Sequence, residues 1–234
     1  MIKFLFASLA LASPLLAQET KIKPAPNPIK DFSAEALEKD GFTALIGDSL
    51  DGWNIKGADA EYTLEDGEIR GSGTDLAKNA FLCTDKTYRD FIFTFQFKFD
   101  HLRGNSGCMF RGLANEEGRV SGYQCEGDNT ARSWTAGLFD EARRGWLFPK
   151  KDNKEHAAAF TAQGKRLTEK KDWNQITIKC VGNHLQTWLN GELRVDYIDT
   201  DPKHSTPEGF FGLQVHSGKK CDVRWQNIFL KELE

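Results

Sequence analysis

Asp90-Phe91-Ile92-Phe93-Thr94-Phe95-Gln96-Phe97-Lys98-Phe99-Asp100 is the stretch that decides the fold. Successive side chains of a β-strand point to opposite faces, so strict alternation places Phe91, Phe93, Phe95, Phe97 and Phe99 on one face that must be buried. A strand with five rings on one side needs a second layer to receive them. Working outward, Glu61 to Leu64 and Glu68 to Gly71 flank Asp66-Gly67, a hairpin signal. Trp173 to Cys180 and His184 to Leu189 flank Gly182-Asn183, and Asn190-Gly191 supplies another tight turn. Further strands are expected over Gly209 to His216 and Asp222 to Leu230. Many short strands, regular turns and scarcely any helical periodicity predict an all-β jelly-roll β-sandwich. Seventeen Phe and six Trp suit such a core and leave rings for a ligand. Trp53, Trp173, Trp188 and Trp225 are expected in core or turn packing.

The N-terminus speaks to compartment. Lys3 precedes a largely apolar run from Phe4 to Leu16, and Ala17 before Gln18 ends a small-residue cleavage site, the pattern of a secretory signal peptide over residues 1–17. Periplasmic or secreted location is the expectation, and no later run reaches the roughly 20 apolar residues of a membrane span. Residues 18–40 read as an extended tether around Pro24, Pro26 and Pro28, with a short helix over Asp31 to Lys39. The folded domain is then 41–234, about the size of one large β domain. A net charge of −3 without a basic cluster argues against nucleic acid and for small neutral partners. The five cysteines, Cys83, Cys108, Cys125, Cys180 and Cys221, have no metal-site spacing, and Cys108 and Cys125 fall on the inferred core face as thiols.

Polar residues of catalytic type recur at alternate positions between Asn105 and Trp146. Asn105 and Arg111 share one phase, with Ser106, Cys108 and Phe110 opposite; Gln124 and Glu126 do the same, with Tyr123 and Cys125 opposite. Asp140 follows, leading into Glu141-Ala142-Arg143-Arg144-Gly145-Trp146, and Gln214 and His216 repeat the alternation downstream. A sheet face with this composition is too polar for a core and has the makings of a carbohydrate-sized site. Between Trp146 and Asp172 a charged, helix-tolerant insertion reads either as a surface loop or as a lid that would bring His156 over the cup.

Gly41-Phe42-Thr43-Ala44-Leu45-Ile46-Gly47-Asp48-Ser49-Leu50-Asp51-Gly52-Trp53, Asn105-Ser106-Gly107 with Arg111-Gly112, and Gly122-Tyr123-Gln124-Cys125-Glu126 follow in order. After them come Gly137-Leu138-Phe139-Asp140-Glu141, Arg143-Arg144-Gly145-Trp146-Leu147, Trp173-Asn174, Asn190-Gly191 and Gly212-Leu213-Gln214-Val215-His216-Ser217-Gly218. Together they resemble the 3-keto-disaccharide hydrolase family over Gly41 to Leu233. The chain departs from it at one place: many members carry Tyr-Glu-x-Gln where this one has Tyr123-Gln124-Cys125-Glu126. The resemblance implies a concanavalin A-like jelly roll with a concave polar face. It also implies cleavage of glycosides that a partner oxidoreductase has oxidised at C3, by proton abstraction at C2, elimination of the C1 substituent and hydration.

On that implication Glu126 or His216 is the base, Arg111 the partner of the enolate oxygen, and Asp140 a second acid/base or a metal ligand. Asn105, Gln124 and Gln214 would hold sugar hydroxyls and Trp146 would stack on a ring. Arg143 and Arg144 would contact substrate or pair with Glu141. Carboxylates and imidazole suit a divalent ion, so a metal held by Glu126, Asp140 and His216 is one arrangement compatible with these residues. A lectin-like module that binds sugar without turning it over is the alternative from a different class.

Overall fold

The computed structural model describes residues 24–101 and 104–234; the expected signal peptide lies outside them. In chain order the elements are α1 (Ala34–Lys39), β1 (Thr43–Ala44), β2 (Trp53–Gly57), β3 (Glu61–Glu65), β4 (Glu68–Leu76), β5 (Ala80–Thr84) and β6 (Phe91–Phe99). Then come β7 (Asn105–Ala114), β8 (Val120–Asp128), β9 (Leu138–Glu141), β10 (Gly145–Phe148) and α2 (Lys154–Leu167). The chain ends with β11 (Asn174–Val181), β12 (His184–Leu189), β13 (Glu192–Ile198), β14 (Phe210–Val215) and β15 (Gly218–Glu232). The strands form two antiparallel sheets, ordered β13-β12-β11-β6-β15-β4-β3 with β1 beside β15, and β10-β9-β8-β7-β14-β5-β2. This is the all-β jelly-roll sandwich that the alternation predicts.

All five phenylalanines of β6 are buried, and Phe93 stacks on Phe211 of the facing sheet with ring centroids 4.0 Å apart. Cys108 and Phe110 of β7, Tyr123 and Cys125 of β8, and Leu213 and Val215 of β14 complete that interface. Each fully buried large apolar side chain contributes about 1.5–3 kcal/mol, so this layer holds the sheets together. The same alternation commits Asn105, Gln124, Glu126 and Gln214 to the outer face of the second sheet. All five cysteines are free and buried; burial pushes the thiol pKa up, for Cys221 to about 11 and for Cys83 to about 12, so none is a ready nucleophile.

Two expectations about peripheral segments change. The proline segment is extended but docked: the carbonyl of Ala25 accepts a bond from the Trp188 indole N–H at 3.1 Å, and Asn27 donates to Thr177 Oγ1 at 3.2 Å. Ile29 seals it against Leu37, Phe42 and Phe229. The short helix begins at Ala34, because the Ser33 side chain caps it by accepting from the Ala36 amide. The insertion after Trp146 is neither open loop nor lid, since most of it is α2, capped by Asn153 and packed through Phe160, Gly164 and Leu167. Arg194 of β13 clamps it by donating to the Phe160 carbonyl and to Gln163 Oε1. His156 rests edge-on against Phe148.

One break in the alternation shapes the outer face. Arg111 has φ +46°, and the β7–β8 register slips between Phe110 and Leu113. A bulge of this kind bends the strand and increases its twist. Beyond it the hairpin curls over the sheet, so that Gly118 approaches Gly57 and Val120 packs with Phe81, Met109 and Phe210. The face is concave for this reason. Arg111 itself leaves that face, which corrects its expected role beside the substrate. Its guanidinium, 1% exposed, donates to the carbonyls of Arg89 (2.7 Å) and Gly182 (2.6 Å) and to Asp90 Oδ1 (2.8 Å). Arg111→Met strands these acceptors and is expected to cost about 3 kcal/mol or more in denaturant unfolding, while a direct role at the reacting atoms would instead leave stability intact.

Candidate active site on the concave sheet

The centre of the concave face is an amide relay ending on a carboxylate. Gln214 Nε2 donates to Gln124 Oε1 at 3.0 Å, and Gln124 Nε2 donates to Glu126 Oε2 at 2.9 Å. On its other oxygen Glu126 accepts from Asn105 Nδ2 at 2.6 Å and from Arg132 at 3.0 Å. Gly107 makes the relay fit: it pairs with Glu126 across the strands, and a Cβ there would lie 2.6 Å from Gln124 Cγ. Glu126 is 4% exposed, and burial pushes its carboxyl pKa up to about 7, partly offset by the bonds from Asn105 and Gln124 and by the Arg132 charge. The side-chain oxygen of Gln214, Oε1, is buried without a donor.

Aromatic residues line one flank. Register pairs Gln124 with Phe139 and Phe139 with Trp146, so both rings share the face of Gln124. Trp146 meets Phe139 and Trp134 edge-to-face at 5.3 and 4.6 Å, and the Arg132 guanidinium lies 4.8 Å from the Trp146 ring centre. Trp134 is anchored from behind by α2, its indole N–H donating to Thr161 Oγ1 at 2.8 Å.

The opposite flank is a groove of about 410 Å³ lined by Asn79, Phe81, Arg119, Val120 and Glu141, with the curled hairpin as its wall. Asn79 Nδ2 lies 3.4 Å from Glu141 Oε1, while Asn79 Oδ1 accepts from the Ser217 amide at 2.9 Å. His216 Nδ1 sits 2.7 Å from the carbonyl of Ser217; a carbonyl only accepts, so Nδ1 carries a proton. Burial raises the Glu141 carboxyl pKa above the ordinary range, against the charge of His216 and the bond from Asn79.

Comparison with known proteins supplies what geometry alone does not. The sequence profile of the 3-keto-alpha-glucoside-1,2-lyase-like domain matches residues 41–231. The chain belongs to this family. No curated protein matches it. Among solved structures, a "putative glycosyl hydrolase" from Parabacteroides distasonis is 18% identical, with a TM-score of 0.58 over 90% of this chain and 100% of that one. The carbohydrate-binding module CBM66 from Bacillus subtilis is 16% identical, with a TM-score of 0.54 over 77% and 96%. A Bacillus subtilis protein of unknown function with a galectin-like fold is 11% identical, with a TM-score of 0.58 over 82% and 94%. At these identities the structures share a fold. The family places the chain in carbohydrate-related chemistry, as a hydrolase or lyase or as a binder. Gln124 and Glu126, the pair at which the sequence departs from the expected motif, stand on one face within one hydrogen bond.

Asn105, Gln124, Glu126, Gln214 and Trp146 thus gather on one face, with His216 at its rim. Asp140 does not join them. It pairs with Tyr123, a core-face residue, and is fully buried in bonds from Arg143 and Arg144. Arg144 also binds Asp199 at 2.8 Å, so both arginines belong to a rim ion cluster and neither pairs with Glu141. The metal set Glu126, Asp140 and His216 is therefore not assembled. Among the described residues no group of three or more His, Cys, Asp or Glu side chains is placed to share an ion. Arg132, Asn79 and Arg119 carry no signal in the sequence, and Glu141 enters there only as a possible partner of Arg143 and Arg144. For Glu141 a signal existed: Leu138 is apolar, so Asp140 shares its inward phase and Glu141 shares the outward phase of Phe139.

Glu126 links the site to stability. Its folded pKa, about 7, lies above the ordinary carboxylate value of 4.5, so folding is favoured while it is protonated, and this stability is lost as pH rises from about 4.5 through about 7, on the order of 3 kcal/mol at most. Glu126→Gln is expected to flatten this segment of the pH–unfolding curve and to be more stable than the parent at pH 8. The relay accommodates the new amide by turning Gln124 and Gln214 over, which gives the free Gln214 oxygen a donor.

Proposed function

We propose that this protein cleaves 3-keto-glycosides by removing the C2 proton and expelling the C1 substituent, with water then adding to the unsaturated sugar. The observation that carries the reading is Glu126: a single carboxyl, buried among amides, with a pKa near 7. A ketone at C3 acidifies the C2 hydrogen, and a base poised near neutrality is matched to taking it. Arg132, bonded to Glu126 and 34% exposed on its side chain, supplies the cation for the enolate oxygen in place of Arg111. Asn105 and Gln124 orient the base, and Trp146 with Phe139 offers a ring-sized apolar surface.

An ordinary glycosidase would place two carboxyls across the bond from one another. The acid nearest in sequence, Asp128, is committed elsewhere: burial would raise it, but bonds from Thr130, Arg132 and Trp134 hold it below the usual carboxylate range. The substrate must be supplied by a partner oxidoreductase acting on the C3 hydroxyl. Export directed by residues 1–17 would place both reactions outside the cytoplasm.

The deciding measurement is release of the C1 group from 3-keto-glucosides and from their unoxidised parents. Release from the keto compounds alone is expected, with kcat/KM rising as pH passes about 7 and falling at least about 100-fold in Glu126→Gln. Binding of sugar without release of the C1 group would make the protein a lectin-like module, the class of function suggested by the likeness to CBM66.

A further inference from the structure

We infer that Glu141 is the acid that protonates the departing C1 oxygen, and that the ion cluster beneath it exists to hold it at the groove. This deepens the elimination reading and rests on it. An enolate expels an alkoxide from an unactivated glycoside poorly, so the site needs a proton donor on the leaving-group side as well as a base at C2. Glu126 is consumed as the base, and Asp128, Asp140 and Asp199 are each fixed by arginines.

Glu141 is a second carboxyl on the concave face, lining the groove and held by no arginine among the described residues. It shares the concave face with Phe139 and Gln124, and its partner on β8 is Gly122, which puts no side chain beside it. The space above it is the groove of about 410 Å³. Two hydrogen-bond sets line the cup, one joining Gln214, Gln124 and Glu126 and the other joining the Ser217 amide, Asn79 and Glu141. The turn that follows Glu141 is held away from the ordinary backbone minimum, with Ala142 at φ +54°. Asp140 secures that turn by accepting from Arg143 Nε at 2.7 Å and binding Arg144, and Arg143 extends the anchor to Thr206 Oγ1 at 2.8 Å. Asp140, Arg143 and Arg144 are accordingly positioning residues for Glu141.

The steps balance. Glu126 carboxylate takes the C2 proton, the electron pair forms the enolate, the C1–O bond breaks, and the departing oxygen takes the proton of the Glu141 carboxyl. In hydration Glu141 carboxylate takes a proton from water, hydroxide adds to C1, and Glu126 returns its proton to C2. One water is consumed and both carboxyls regain their starting states.

The test compares two 3-keto-glucosides, one with a 4-nitrophenyl leaving group that needs no proton and one with a methyl group that does. In Glu141→Gln the methyl compound is expected to slow at least about 100-fold and the nitrophenyl compound by no more than about threefold. The ratio of the two rates in one preparation does not depend on how much of the variant folds. An unchanged ratio would overturn the assignment while leaving the elimination reading intact, provided the wild type still discriminates keto compounds from their parents. Failure of the wild type to release nitrophenol would remove the reading and this inference with it.

Discussion

The buried guanidinium of Arg111 sets the shape on which the site depends. A strand that continued its alternation through Arg111 would run flat past the edge of the sandwich. Instead the residue adopts positive φ, turns its side chain into the end of the core, and fills its donors with the carbonyls of Arg89 and Gly182 and the carboxylate of Asp90. Those partners come from the start of β6 and from the β11–β12 turn, so the bond set ties the second sheet to the first. The bulge also bends the β7–β8 hairpin over the face. A charge that in solution would be strongly hydrated acts here as a tie between sheets and as the origin of the cup.

Environment then sorts the carboxyls. Asp128 and Asp199 lie among arginines and amides that more than offset burial, and both are held below the ordinary range. Glu126 and Glu141 lie where burial outweighs their partners, and both are raised. Such separation of acids by surroundings is how one fold keeps some carboxylates as fixed counterions and reserves others for proton transfer. The arginines mark the division: Arg143 and Arg144 neutralise Asp140 at the rim, whereas Arg132 spans Asp128 and Glu126 while packing over two tryptophans.

The two-residue period of the strands is a local property, and whatever follows from it alone could be read without a structure. The sandwich, its phenylalanine layer, the inward cysteines and the shared face of Asn105, Gln124, Glu126 and Gln214 follow from that period, because each strand must bury one phase. The inward phase of Asp140 follows from the same rule, since it alternates in step with the buried, apolar Leu138. The helical content of Lys154–Leu167 was visible in its alanines, yet its docking on Arg194 was not. Nothing short-range marks the Arg111 bulge, since its acceptors lie 22 and 71 positions away along the chain. The curl of the hairpin over Phe81, the rim ion cluster and the open groove beside Glu141 likewise arise from residues distant in sequence. Alternation thus determined which residues face outward, and only tertiary packing decided which of them meet, because charge pairing and strand curvature depend on contacts that no local pattern encodes.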